Sequence, residues 1–138
     1  MISSTDYLIN LQKDAKENEA SFQSNYDLWQ KTQNKRNWDE MWMSVYITCL
    51  NICKKIYKSR KVIIEDEELV AKATDSAAYV MKFINKGVRP EKLSSYCYLR
   101  CLRFIQNPKD MWYEMNVTQM PQDNYKENVD MEIVDKNA

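Results

Sequence analysis

Four cysteines are the side chains of this sequence with the widest chemical range, and they come in two pairs. Cys49 and Cys53 are four positions apart, as are Cys97 and Cys101, so each pair shares one face if its segment is helical. Two such pairs on facing helices would supply four thiolates to Zn²⁺ or to an iron–sulfur cluster. The spacing differs from that of a zinc knuckle, however, and reduced cysteine packs in cores as a small hydrophobic residue. We therefore interpret the four as core side chains and expect no metal and no cofactor, with a metal site as the alternative.

Composition argues against catalysis. Among its 138 residues the chain has no histidine and one glycine, which excludes Ser-His and Cys-His nucleophile pairs, glycine-rich phosphate loops and the dinucleotide-binding fingerprint. The acidic residues at 65–68 suit the start of a helix, where the dipole favours negative charge, better than a pair of opposed catalytic carboxylates. We expect a binding protein and not an enzyme.

The segment from Arg89 to Arg103 combines cations with aromatic rings. Its site candidates are Arg89, Lys92, Tyr96, Arg100 and Arg103, with Tyr98 and Phe104 between them. Cations beside rings on which unpaired bases can stack are typical of a surface for single-stranded nucleic acid. The alternative is an amphipathic helix that buries its rings and extends its arginines along the surface.

Charge is distributed in blocks, although the formal net charge is zero. Residues 37–61 carry five basic and two acidic side chains, residues 87–109 carry five and one, and residues 110–138 carry two and seven. A local site for a polyanion is therefore compatible with the neutral total.

Apolar residues recur at helical spacing in two segments. One stripe predicts a helix from Trp38 to Ser59 with Asn37 as its N-cap. Its members are Trp38, Trp42, Val45, Cys49, Ile52 and Ile56. The second stripe, over residues 66–84, consists of Leu69, Ala73, Ala77, Val80 and Ile84. Gly87 follows at the place where a helix end favours a left-handed residue.

Weaker patterns flank these two helices. In residues 1–36 we expect helices with a break near Asn18, and Ser94 or Ser95 is expected to cap a later helix that ends before Pro108. The first region carries Phe22, Tyr26 and Trp29 on one face, and the later helix carries Tyr96, Leu99, Leu102, Arg103 and Ile105.

The predicted fold is all-α, a small bundle of four to five helices with a partly ordered acidic C-terminal arm. We divide it into an N-terminal helical extension (1–36), a core bundle (37–107) and the acidic arm (108–138), docked through Trp112 and Tyr113. The N-terminus has no signal-peptide pattern and no stretch approaches 18 apolar residues, so we expect a cytoplasmic protein without a membrane span.

The order of these elements resembles region 2 of bacterial and phage RNA polymerase sigma factors. The resemblance covers residues 38–106, about half of the chain. It is carried by the helix beginning WDEMWMSVY, by Glu68-Leu69-Val70 in place of the family's acidic "DLV" element, and by Leu93 to Arg100 in place of its arginine-rich last helix. Ala71-Lys72 stands where the family has a polar "QE". We expect no second DNA-binding domain after Pro108.

The resemblance implies a non-enzymatic protein that binds RNA polymerase, promoter single-stranded DNA or both. Glu68 and Leu69 would face the polymerase. Arg89, Lys92, Tyr96, Arg100 and Arg103 would lie on or near the DNA face. A phage-encoded relative would act in the host cytoplasm.

The alternative is a protein–protein interaction module of a phage or bacterium, with no role on nucleic acid. It would be a virion component, an assembly adaptor or an inhibitor of a host protein, and its exposed aromatic and arginine side chains would contact that protein.

Overall fold

The structure is a computed structural model that describes residues 4–116, and it confirms the all-α fold. The described residues contain no strand and form six helices: α1 (Ser4–Ile9), α2 (Ala15–Thr32), α3 (Lys35–Ser59), α4 (Asp66–Asn85), α5 (Leu93–Gln106) and α6 (Pro108–Asn116). The part of the predicted acidic arm beyond residue 116 lies outside the described residues.

Helices α1 to α5 belong to one compact unit that ends at Gln106, and α6 belongs to a second unit that begins at Asn107. The predicted boundary between an extension and a core at residue 36 is therefore not found, because α2 packs along α3 within the first unit. Within the described part of the chain, no helix is both long enough and apolar enough to cross a membrane.

Helix α3 is the centre of the first unit and packs against α2, α4 and α5. Val45, Cys49 and Ile56 of its predicted stripe are buried, and Trp38, Trp42 and Ile52 pack half-buried against the core. Side chains on other faces of α3 are also buried, namely Tyr46, Ile47 and Leu50. A helix covered on several sides needs more than one apolar stripe.

Helix α2 runs without the break that was expected near Asn18. The break lies earlier, at residues 10–14, where the Asp14 carboxylate caps α2 by accepting hydrogen bonds from the backbone N–H groups of Lys16 and Glu17. Asn18 is buried inside α2 and donates through Nδ2 to the Ser44 carbonyl oxygen at 3.0 Å. A buried amide of this kind needs such partners, so Asn18 ties α2 to α3.

The predicted aromatic face of α2 is confirmed as part of the core. Phe22, Tyr26 and Trp29 are buried, and their rings form a chain that continues to Trp38 of α3, with ring centroids 5.0 Å apart at the last step. Asn34, rather than the predicted Asn37, caps α3, and its Oδ1 accepts from the Arg36 N–H at 2.8 Å. The aromatic stripe of α2 thus continues directly into α3.

Helices α3 and α4 end in the same way. Val62 N–H donates to the Tyr57 carbonyl after α3, and Val88 N–H donates to the Phe83 carbonyl after α4, both at 3.0 Å. This pattern places one residue of each turn at positive φ. Gly87 takes that position after α4 with φ 106°, as predicted, whereas α3 uses Lys61 with φ 57°.

Candidate functional site

Helices α3 and α5 bring the four cysteines together in the core. The Cys49 thiol contacts those of Cys97 and Cys101, and the Cys53 thiol contacts that of Cys101. Each of the four residues is 0% exposed. Two i,i+4 pairs on facing helices therefore meet, as the spacing allowed, and all four take the core positions that we predicted.

The thiols form one electrostatic group. Complete burial is the largest cause that raises the pKa of Cys49, whereas hydrogen bonds from the neighbouring thiols lower the pKa of Cys101 against the effect of its burial. The Cys101 thiol also donates to the Cys49 carbonyl oxygen at 3.8 Å, which requires its proton. We take the neutral group as the ground state, because a thiolate in this dry interior loses its hydration.

The thiol group is not arranged as a metal centre. Within residues 4–116, no set of three or more His, Cys, Asp or Glu side chains is placed so that it could hold a metal ion. The side chains instead fill space between α3 and α5, where a small polarizable thiol packs like a hydrocarbon.

Arg89, the first residue of the predicted nucleic-acid face, is docked on α2. Its Nε donates to Gln23 Oε1 at 3.0 Å, its Nη1 forms an ion pair with Asp27 at 2.8 Å, and its guanidinium lies 4.5 Å from the centre of the Tyr26 ring. The Arg89 guanidinium therefore contacts three side chains of α2. Arg89 connects the α4–α5 loop to α2, and its contact with DNA stays a prediction.

The same face of α2 also forms hydrogen bonds with the α4–α5 loop and with the first residue of α5. Glu19 accepts the Leu93 N–H with both carboxylate oxygens, at 3.0 and 3.1 Å, and Gln23 Nε2 donates to the Pro90 carbonyl at 3.1 Å. Glu19, Gln23 and Asp27 are four positions apart, so they lie along one side of α2. We call these three residues the α2 clamp. The clamp was missed in the sequence, although its spacing of four was the available signal.

The clamp also explains how α5 begins. The predicted capping serines, Ser94 and Ser95, are both exposed, and helix α5 starts earlier at Leu93. Glu19, which lies on α2, accepts the N–H group of the first residue of α5. Helix α5 therefore needs no serine cap of its own.

Helix α5 buries one face against the rest of the first unit. Leu93, Cys97, Cys101 and Phe104 are buried, whereas Leu99 is 43% exposed. Cys97 and Cys101 are core side chains, as predicted, and Leu93 and Phe104 complete this face. Two surface strips remain, one on each side of the buried face.

The first strip carries the remaining basic residues of the predicted face. The Arg100 guanidinium lies 3.9 Å from the centre of the Tyr96 ring and donates to the Tyr96 carbonyl at 3.1 Å. Arg103 follows one turn later on the same side, and all three residues are half-buried. Lys92 is exposed just before the helix. We call Tyr96, Arg100 and Arg103 the arginine strip.

The second strip borders an open groove of about 480 Å³ between α5 and the C-terminal half of α3. Its lining includes Ile52, Lys55 and Ile56 from α3, and Ser94, Ser95 and Tyr98 from α5. Tyr98 is 46% exposed. Tyr98 and Tyr96 are two positions apart, so the groove and the arginine strip lie on different sides of α5.

Of the two residues predicted to face the polymerase, one lies on the surface and the other in the core. Glu68 is exposed in the first turn of α4, but Leu69 is 6% exposed and belongs to the core. Its side chain is therefore not presented to a partner, which corrects that part of the prediction. Lys72, which stands where the family has a polar residue, donates through Nζ to the Phe104 carbonyl at 3.2 Å and so connects α4 to the end of α5.

Comparisons with models of protein families, with curated proteins and with solved structures find no match for this chain.

Proposed function

We propose that this chain is a non-enzymatic protein that binds single-stranded DNA through α5, in the manner of sigma region 2, which it resembles. The observation that carries the proposal is the stack of Arg100 on Tyr96, followed on the same side by Arg103. Helix α5 contains no acidic residue. A phosphate approaching this strip therefore meets cations without a competing carboxylate on the same helix.

We propose that the strand contacts fewer residues than the sequence predicts. Arg89 is held by the α2 clamp and is left out of the interface, whereas Lys92, Arg100 and Arg103 supply the charge. The Arg100 guanidinium gives one of its five N–H donors to the Tyr96 carbonyl, and a phosphate can use the planar fork that remains.

Binding to RNA polymerase is the second part of the proposal. Its support is the acidic start of α4, where Asp66, Glu67 and Glu68 are exposed in the first turn. With Leu69 in the core, the contact would be electrostatic and centred on Glu68. Such a contact is sensitive to charge reversal and to salt.

Titration of a fluorescent A/T-rich single strand of about 12 nucleotides tests the DNA contact. We expect the affinity to fall with salt with a slope of about −0.7 per phosphate neutralised, and Arg100→Ala with Arg103→Ala to make that slope less steep by about 1.4. The matched control is Lys31→Ala with Arg36→Ala, which removes the same charge from exposed positions on α2 and α3. Equal slopes for the two double variants, or no salt-sensitive binding, would exclude the DNA-binding role.

Affinity capture of purified bacterial RNA polymerase tests the other contact. Glu68→Lys should abolish capture, and Glu40→Lys, an equal change at an exposed position of α3, should leave it intact. If neither strand nor polymerase binds, the protein–protein interaction module remains as the function.

A further inference from the structure

The groove between α3 and α5 has an aliphatic floor. Ile56 is buried and Ile52 is half-buried beneath it, and the ring of Tyr98 forms one wall. Isoleucine side chains favour apolar groups that leave water, but they provide no flat ring on which a base can stack. The floor therefore suits an aliphatic or aromatic side chain of a peptide better than a nucleotide.

The surroundings of the groove are basic. Residues 52–64 contain five basic side chains and no acidic one. Lys54 donates to the Ile9 carbonyl at 2.9 Å, whereas Lys55 lines the groove and is exposed. Lys58 follows three positions later and is also exposed. This charge complements a carboxylate-bearing partner.

The α5 side of the groove offers hydroxyl groups. Ser94 and Ser95 are exposed in the first turn of α5, and each hydroxyl can donate to a carboxylate oxygen. A volume of about 480 Å³ accommodates a few side chains and not a whole domain. The groove thus combines an apolar floor, a lysine and two hydroxyls over a short length.

We propose that this groove binds a short acidic, amphipathic peptide segment of a partner protein. Apolar side chains of the segment lie on Ile52, Ile56 and Tyr98, and its carboxylates face Lys55 and the serines. This surface lies on the other side of α5 from the arginine strip, so the inference does not depend on DNA binding.

A fluorescein-labelled peptide of about 12 residues, built from Glu, Asp, Leu and Phe, is the probe, because about three helical turns present both an apolar and an acidic face. We expect saturable binding to the full chain at low salt that weakens as salt is added. Lys55→Glu should weaken it by about tenfold or more, and Tyr98→Ala by several-fold. The matched controls are Lys13→Glu and Tyr7→Ala, which alter exposed residues outside the groove.

Two further measurements keep the outcome unambiguous. Urea unfolding should be nearly unchanged in Lys55→Glu and Tyr98→Ala, because both side chains are exposed, so that lost binding reports the surface and not the fold. Amide chemical-shift changes should centre on residues 94–98. Equal binding of a peptide with Lys in place of Glu and Asp would overturn the proposal. So would equal binding by Lys55→Glu and Lys13→Glu, or displacement of the peptide by a single-stranded oligonucleotide whose own binding requires Lys55.

Discussion

The two halves of the basic block between residues 89 and 103 serve different purposes. Arg89 is bound by Gln23, Asp27 and the Tyr26 ring on a helix that lies more than 60 positions earlier in the chain. Arg100 stacks on Tyr96 of its own helix. Both are arginines beside a tyrosine, yet only the first links separate elements of the bundle.

The difference shows that a cation next to an aromatic ring does not by itself indicate a ligand site. What matters is the number of guanidinium N–H groups that already donate to acceptors of the protein. Each N–H group of the rigid, planar guanidinium points in a fixed direction, so a donor that is already used is not available to a ligand. We therefore expect changes around Arg89 to affect stability and changes at Arg100 to affect binding.

Replacing Glu19 by alanine should lower the free energy of unfolding by about 1–2 kcal/mol. The carboxylate accepts the Leu93 N–H and also the Gln23 side chain, and loss of a capping acceptor at the start of a helix costs an amount of this order. Urea denaturation measures the change. Glu40→Ala, at an exposed position, should stay within about 0.5 kcal/mol of the native protein.

The same variant also tests the division directly. Glu19→Ala should retain the oligonucleotide affinity of the native protein under conditions where it is folded. The contrary outcome is an affinity that falls as far as that of the Arg100 and Arg103 double variant while the stability is unchanged. In that case the Arg89 half of the basic block takes part in binding, and the division between the two halves is wrong.

Replacing Gly87 by alanine should cost about 1 kcal/mol, because Gly87 has φ 106° and a side chain is strained there. A Cβ at this position would meet no atom within 4 Å, so the cost is in the backbone alone. The turn leads from α4 to the docked Arg89. The reverse change at the equivalent turn, Lys61→Gly, should stabilise the protein by about 0.5–1 kcal/mol.

Thermal unfolding of the two variants should therefore shift in opposite directions. If Gly87→Ala is neutral, the loop tolerates another conformation, and the docking of Arg89 does not depend on this turn. A loss of stability in Lys61→Gly would mean that the lysine side chain contributes more than its backbone conformation costs.

The parts of the fold that could be predicted are those where one face of a helix is buried. All five positions of the α4 stripe, from Leu69 to Ile84, are in the core. Gly87 could be placed because few other residues adopt its conformation readily. These features depend on residues within one or two turns of each other.

The parts that could not be predicted depend on partners far along the chain. Glu19 replaces a local serine cap for α5, and Asp27 captures Arg89 from 62 positions away. Tertiary contacts override local propensity where they supply hydrogen-bond partners or packing that the neighbouring sequence does not provide.

The ion pair between Arg89 and Asp27 should contribute least, with a coupling free energy of about 0.5 kcal/mol in a double-mutant cycle. Its atoms are 2.8 Å apart, but the two side chains are 40% and 59% exposed, so water screens the attraction. We expect the coupling to shrink further at 1 M salt, where the screening length is about 3 Å. Arg89→Ala alone should lower the free energy of unfolding by more than the coupling free energy, because it also removes the contacts with Gln23 and Tyr26.

If the coupling free energy is unchanged at high salt, hydrogen-bond geometry and not the attraction between charges keeps Arg89 in place. If Arg89→Ala also makes the salt dependence of oligonucleotide binding less steep, Arg89 contacts phosphate as well, and the two halves of the block act as one surface.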